Sequence, residues 1–167
     1  LTKAIGAQGL KATTTGNLPR KCVQEAALAF MKGEKHERYL QIGAIRSEMD
    51  FFMLHVTRLV AARSGLIRKY KGKFILSREL RELMTDTGLA GVYLRLFKTF
   101  VRELNWGYMD AYPDLPFLQH AFLFTLYLLD RYGDEWRPQS FYEEAFLRAF
   151  PDLLEAIKPV SNASREI

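Results

Sequence analysis

The sequence is poor in the residues on which most catalytic and metal chemistry rests. It has one cysteine, three histidines and two tryptophans in 167 residues. Cys22 alone excludes an internal disulfide and fits a reducing cytoplasm. His36, His55 and His120 stand far apart, with no second ligand at helical or turn spacing, so no metal site is expected. Neither GxxxxGK followed by Ser or Thr, nor GxGxxG, nor GxSxG occurs, which removes the phosphate-loop, dinucleotide and nucleophile-elbow signatures. Cys22 sits among apolar residues of a predicted helix and reads as a buried thiol rather than a nucleophile. The pairs Asp134-Glu135 and Glu143-Glu144 lie near predicted helix starts, where the macrodipole favours acids without any acid–base chemistry. These absences predict no catalytic residues and no cofactor and favour a binding domain over an enzyme, although a site assembled only in space leaves no such string.

Long hydrophobic runs are missing too. The stretch Phe117–Leu129 has 13 residues and contains Gln119, His120 and Thr125, too short and too polar to cross a bilayer. No charged segment precedes an apolar run at the start, so neither a signal peptide nor a membrane partner is expected, and a cytoplasmic location follows. The chain opens on Leu1 without Met, as a processed or partial chain would.

What the sequence does hold is unevenly spread charge. Residues 1–102 carry 19 Lys and Arg against 8 Asp and Glu, whereas residues 103–167 carry 5 against 11. The net charge of +5 thus sums a basic region and an acidic one, and the basic region points first to an anionic partner such as DNA or RNA. With 49% apolar residues and 13% aromatics, the chain has the composition of a folded domain.

Helix punctuation is dense. Pro19 suits a first helical position, and Cys22, Val23, Ala26, Ala27 and Phe30 follow at helical spacing up to Gly33. Ser47 with Asp50 forms a capping-box-like start for a helix reaching Ser64, with Gly65 beyond its end. Ser77 opens a short helix to Met84, and Gly88 separates it from Leu89–Leu104. Asp114 and Pro116 open a long helix closed by Gly133. Ser140 and Glu143 repeat the capping box, and Phe150-Pro151 starts a last helix ending near Ile157.

Strand signals are few. In Leu66–Leu76 two β-rich runs flank Lys71-Gly72, a hairpin signal, and Gly9–Thr13 is a brief second candidate. Strand, Thr13, helix is echoed 64 residues later by strand, Ser77, helix, which allows two related small units in the basic region. The expected fold is mainly α. A winged-helix-like unit with a small β-hairpin occupies residues 1–84, and an aromatic-rich helical bundle, residues 85–167, packs against it.

Helix, Ser-Gly-Leu-Ile, basic hairpin, Leu-Ser, helix is the order of the second half of a winged helix, which the run Met49–Met84 resembles. The segments GLKATTTGNLPRKCVQEAA and ARSGLIRKYKGKFILSRELREL resemble a bacterial family in which such segments accompany plasmid pRiA4b ORF-3-like domains. That resemblance implies a place in a larger bacterial protein and no activity or catalytic residues.

The candidate interface is the hairpin. Arg63, Arg68, Lys69, Lys71 and Lys73 are five cations within eleven residues with no acid among them, and a hairpin tip holds such side chains out to meet phosphates. Tyr70 within the run is placed to stack on a base or sugar. Lys98 and Arg102, on one stripe of the 89–104 helix with Arg95, extend the basic surface. The helix Met49–Ser64 offers only Arg58 and His55 to read bases, so non-specific phosphate contact is expected rather than sequence readout. A solvated wing that binds nothing accounts for the same charge run.

A second reading comes from the aromatics, of which 16 in 22 fall between Tyr93 and Phe150. The helix after Pro116 is apolar nearly all round, so it is buried by its own neighbours or by another protein. The alternative function is therefore a protein-interaction or self-association module with no nucleic-acid role.

Overall fold

The computed structural model describes residues 1–31, 33–110 and 116–153. The protein is mainly α-helical with one small antiparallel sheet, as expected. The chain divides into two compact units, residues 1–114 and 115–167.

The first unit runs α1 (Thr2–Ile5), β1 (Leu10–Lys11), α2 (Arg20–Met31), α3 (Glu34–Ile42), α4 (Phe52–Arg63), β2 (Ile67–Tyr70), β3 (Lys73–Leu76), α5 (Arg78–Asp86), α6 (Gly88–Arg102) and α7 (Gly107–Asp110). A 3₁₀ turn, Met49–Phe51, leads into α4. The Pro19 signal places α2 correctly; of the expected stripe, Cys22, Val23 and Ala27 are buried and Ala26 is half-buried, whereas Phe30 is 69% exposed. The three buried residues meet Leu18, Ile45, Phe51, Leu54, Ile67 and Phe74 in one core. Each fully buried aliphatic side chain there contributes about 1.5–3 kcal/mol.

The punctuation works as read at several ends. Ser77 Oγ accepts from the Leu80 backbone N–H at 3.1 Å and so caps α5. Gly65 follows the end of α4 with φ of +78°. The Ser47 start is half right. Asp50 Oδ2 reaches back to the N–H groups of Ser47 (2.7 Å) and Arg46 (2.8 Å), while the helix proper begins later at Phe52. Thr13 differs from Ser77, because its hydroxyl accepts from Asn17 N–H within a tight turn and caps no helix.

The hairpin forms where expected. Lys71 and Gly72 take φ of +45° and +72°, the left-handed pair that matches the twist of a two-residue hairpin. β3 lies between β2 and β1, so the sheet order is β1-β3-β2. Gly9 enters β1 with φ of +77°, and a Cβ there would come within 2.9 Å of the Phe74 carbonyl oxygen. Only glycine allows that approach of β1 to β3.

The first unit extends past the expected boundary at Met84. α6 packs against both α4 and α5, and Leu96 rests on the core. Arg95 fixes it by donating to the Ser64 carbonyl at 3.2 Å and pairing with Glu79 at 3.5 Å.

The second unit contains α8 (Pro116–His120), α9 (Phe122–Tyr132) and α10 (Gln139–Ala149). The single helix expected from Pro116 to Gly133 is broken at Ala121. Phe117, Phe124, Phe146 and Phe150 make edge-on and tilted ring contacts at 5.0–6.0 Å that hold the three helices together. Ser140 does not cap α10, which opens at Gln139 after Pro138 without a side-chain cap. The last helix expected from Pro151 falls mostly outside the described residues.

Candidate nucleic-acid interface

Strand register decides where each cation of the hairpin points. Lys73 pairs with both Lys11 and Tyr70, and Ile75 pairs with Arg68. Paired residues share a face of the sheet, and faces alternate along each strand. Ile67, Phe74 and Leu76 therefore form the inner face, with Ile67 and Phe74 buried in the core. Lys11, Arg68, Tyr70 and Lys73 share the outer face, and all four are exposed. Lys11 carries no local signal of this role, because only the pairing of β1 with β3 brings it beside Lys73.

The five hairpin candidates are thereby sorted. Arg68 and Lys73 lie on the outer face, and Lys71 stands at the tip with its ammonium 5.4 Å from the centre of the Tyr70 ring. Lys69 belongs to the inner face at its open end and leans over the turn at Gly16, where a Cβ would come within 2.5 Å of its Nζ. Arg63 is held apart from the hairpin, its Nε 3.3 Å from Glu103 on the segment after α6. Lys98 and Arg102 are exposed on α6. Among the described residues, no ion pair engages Lys11, Arg68, Lys69, Lys71 or Lys73. A hollow of about 310 Å³ beside them is walled by Arg68, Lys69, Tyr70 and Ile75.

Arg58 and His55 are not base readers. Both are buried, at 9% and 5% exposure, around Glu48, which is 1% exposed. Glu48 Oε1 accepts from Arg58 Nε at 2.6 Å and lies 2.9 Å from His55 Nδ1, while Oε2 accepts from Leu18 N–H at 2.5 Å. The other ring nitrogen of His55 lies 3.0 Å from the Tyr108 hydroxyl. This cluster ties α4 to the start of α2 and to α7. His55 and Arg58 lie three residues apart on one face of α4, and Glu48 precedes that helix by four residues, a spacing that hints at partnership but does not reveal Leu18 or Tyr108.

The rest of α4 is equally unsuited to a nucleic-acid groove. Phe52, Met53, Val56, Thr57 and Val60 form one wall of an apolar cavity of about 530 Å³. Tyr93, Leu96, Phe97 and Phe100 of α6, with Met109, form the other. The cavity draws no side chain from the sheet and no charged group. Among the described residues, no group of three or more His, Cys, Asp and Glu is arranged to hold a metal ion. None of the described helices is long and apolar enough to cross a membrane.

In comparisons with known proteins, the model of one family, the Y4jL N-terminal domain, matches residues 1–89. No curated protein and no solved structure matches the chain.

Proposed function

The chain belongs to the Y4jL N-terminal domain family, and for this member we propose a winged-helix-like domain that binds nucleic acid through the phosphates without reading the base sequence. The observation that carries this reading is the outer sheet face, which Lys11, Arg68 and Lys73 share with no acid among the described residues paired to them, and Lys71 stands at the tip. The order helix, hairpin, helix and the β1-β3-β2 sheet support the winged-helix assignment. Burial of Arg58 and His55 supports the absence of sequence readout. Contact with about four phosphates gives a log–log salt slope near −3.6 on duplex DNA. Reversing the charge of Arg68 and Lys73 together should weaken binding at low salt tenfold or more. A wild-type protein that shows no salt-dependent binding to DNA or RNA refutes the proposal.

A second reading, a protein-association module, is favoured by a separate observation. The aromatic helices leave Phe117 40%, Leu126 36%, Tyr127 49% and Leu123 71% exposed, so α8 and α9 are not wholly core. Association through such a surface survives high salt, whereas phosphate binding does not. Sedimentation at several concentrations in low and high salt separates them, and a strict monomer at tens of micromolar counts against self-association.

A further inference from the structure

We propose that the outer face of the β1-β3-β2 sheet takes single-stranded nucleic acid in preference to a duplex, with a base stacked on Tyr70 and the adjoining phosphates on Lys11, Arg68 and Lys73. The proposal rests on the phosphate-binding reading above and specifies the strand state of the ligand.

Four features of this face argue for it. First, Tyr70 is 59% exposed and stands in register with two lysines, in the row Lys11–Lys73–Tyr70 across all three strands. An open aromatic ring flanked by cations is the arrangement that holds unpaired bases, since stacking needs a free base face and a duplex hides those faces. Second, the hollow of about 310 Å³ beside the ring is walled by Arg68, Lys69, Tyr70 and Ile75, so one flat group has space next to Tyr70. Third, Lys11 and Lys73 are directly opposed, a like-charge pair that weakens the strand pairing until an anion lies between them. Fourth, Lys71 adopts a left-handed φ of +45°, where Asn or Gly would fit more easily, and its ammonium lies over the Tyr70 ring. A phosphate beside a stacked base is within the natural reach of that ammonium. By contrast, the two α4 residues that could read bases, Arg58 and His55, are buried around Glu48, Thr57 donates to the Met53 carbonyl and Arg63 pairs with Glu103.

The test compares fluorescein-labelled dT20, rU20 and a 20-base-pair duplex by fluorescence anisotropy at one ionic strength, with wild type, Tyr70→Ala and Tyr70→Phe. Circular dichroism first establishes that each variant is folded. The expected result is that dT20, rU20 or both bind the wild type at least tenfold more tightly than the duplex. Tyr70→Ala should lose about tenfold on the single strand with an unchanged salt slope and an unchanged duplex affinity. Tyr70→Phe, which keeps the ring, should bind as wild type. Whichever single strand binds identifies the sugar and supports the proposal. Equal affinity for single strand and duplex overturns it, as does Tyr70→Ala binding like wild type, and either result leaves phosphate binding standing. Absence of salt-dependent binding to all three ligands overturns phosphate binding itself, and this proposal with it.

Discussion

Replacing Arg58 with alanine separates the two roles that a lone arginine on a helix beside a basic hairpin invites. If Arg58 read bases, its loss would weaken nucleic-acid binding and leave the fold intact. The structure assigns it to the fold. Its Nε donates to a Glu48 carboxylate that has no solvent exposure, and its guanidinium lies 5.6 Å from the centre of the Phe74 ring. Removing one partner of a buried ion pair costs about 3–5 kcal/mol, because the remaining charge stays desolvated. Glu48 would keep Leu18 N–H and His55, which places the cost at roughly 3 kcal/mol. For a protein of this size that lowers the thermal midpoint by roughly 6–12 °C. Urea denaturation monitored by circular dichroism reads the stability directly, and anisotropy at a temperature where the variant is folded reads the binding. The double variant Glu48→Gln/Arg58→Met should be more stable than Arg58→Ala, since it leaves no unpaired buried charge and its amide oxygen can still accept from Leu18 N–H. An Arg58→Ala protein as stable as wild type, with weakened or sequence-relaxed binding, would refute this account of the cluster.

Two further predictions concern single titrating groups. Burial pushes the Cys22 thiol above its ordinary value, and the side chain lies in the core. It should therefore resist alkylation at pH 8 in the folded protein and react fully once urea unfolds it; rapid labelling of native protein contradicts the core assignment. The Asp50 carboxyl is held below the usual aspartate range, chiefly by the backbone N–H groups of Arg46 and Ser47. Its folded value is depressed, so the stability it contributes is complete above the ordinary aspartate value of about 3.9 and is lost as pH falls through the lower folded value. An NMR titration should place its midpoint below that of an unstructured aspartate, and a midpoint at or above it refutes the assignment.

The parts of the fold legible in the sequence were those set by local chemistry. Lys71-Gly72 specifies a turn whatever surrounds it, and Ser77 finds its partner three residues away at Leu80. α3 leaves no signal in the sequence because Glu34–Ile42 is mostly charged and polar, and of its described side chains Tyr39 is the one that packs on the core. With so little apolar surface to bury, it presents no stripe to recognise. The capping box at Ser140 misled because the N-cap is Pro138, two residues earlier, and Glu143 accepts from the Gln139 side chain at 2.5 Å. The candidate site was half visible. Its cations stood out as a run, and alternation along the hairpin puts Lys69 on the face opposite Arg68, but only the pairing of β1 with β3, some sixty residues apart, brings in Lys11. Likewise the run says nothing of Glu103, which engages Arg63 from 40 residues away.

The central claim is that the sheet face and hairpin tip bind phosphates electrostatically. Its most direct test is the affinity of wild type and of Arg68→Glu/Lys73→Glu for unrelated 20-nucleotide strands and their duplexes, measured from 50 to 200 mM salt. Wild type should give log–log slopes of about −2.8 on single strands and about −3.6 on duplexes, for contact with about four phosphates, with little change between sequences. The double reversal should bind tenfold or more weakly and with a shallower slope. A flat salt dependence, or a charge-reversed protein that binds as tightly as wild type, would contradict the account.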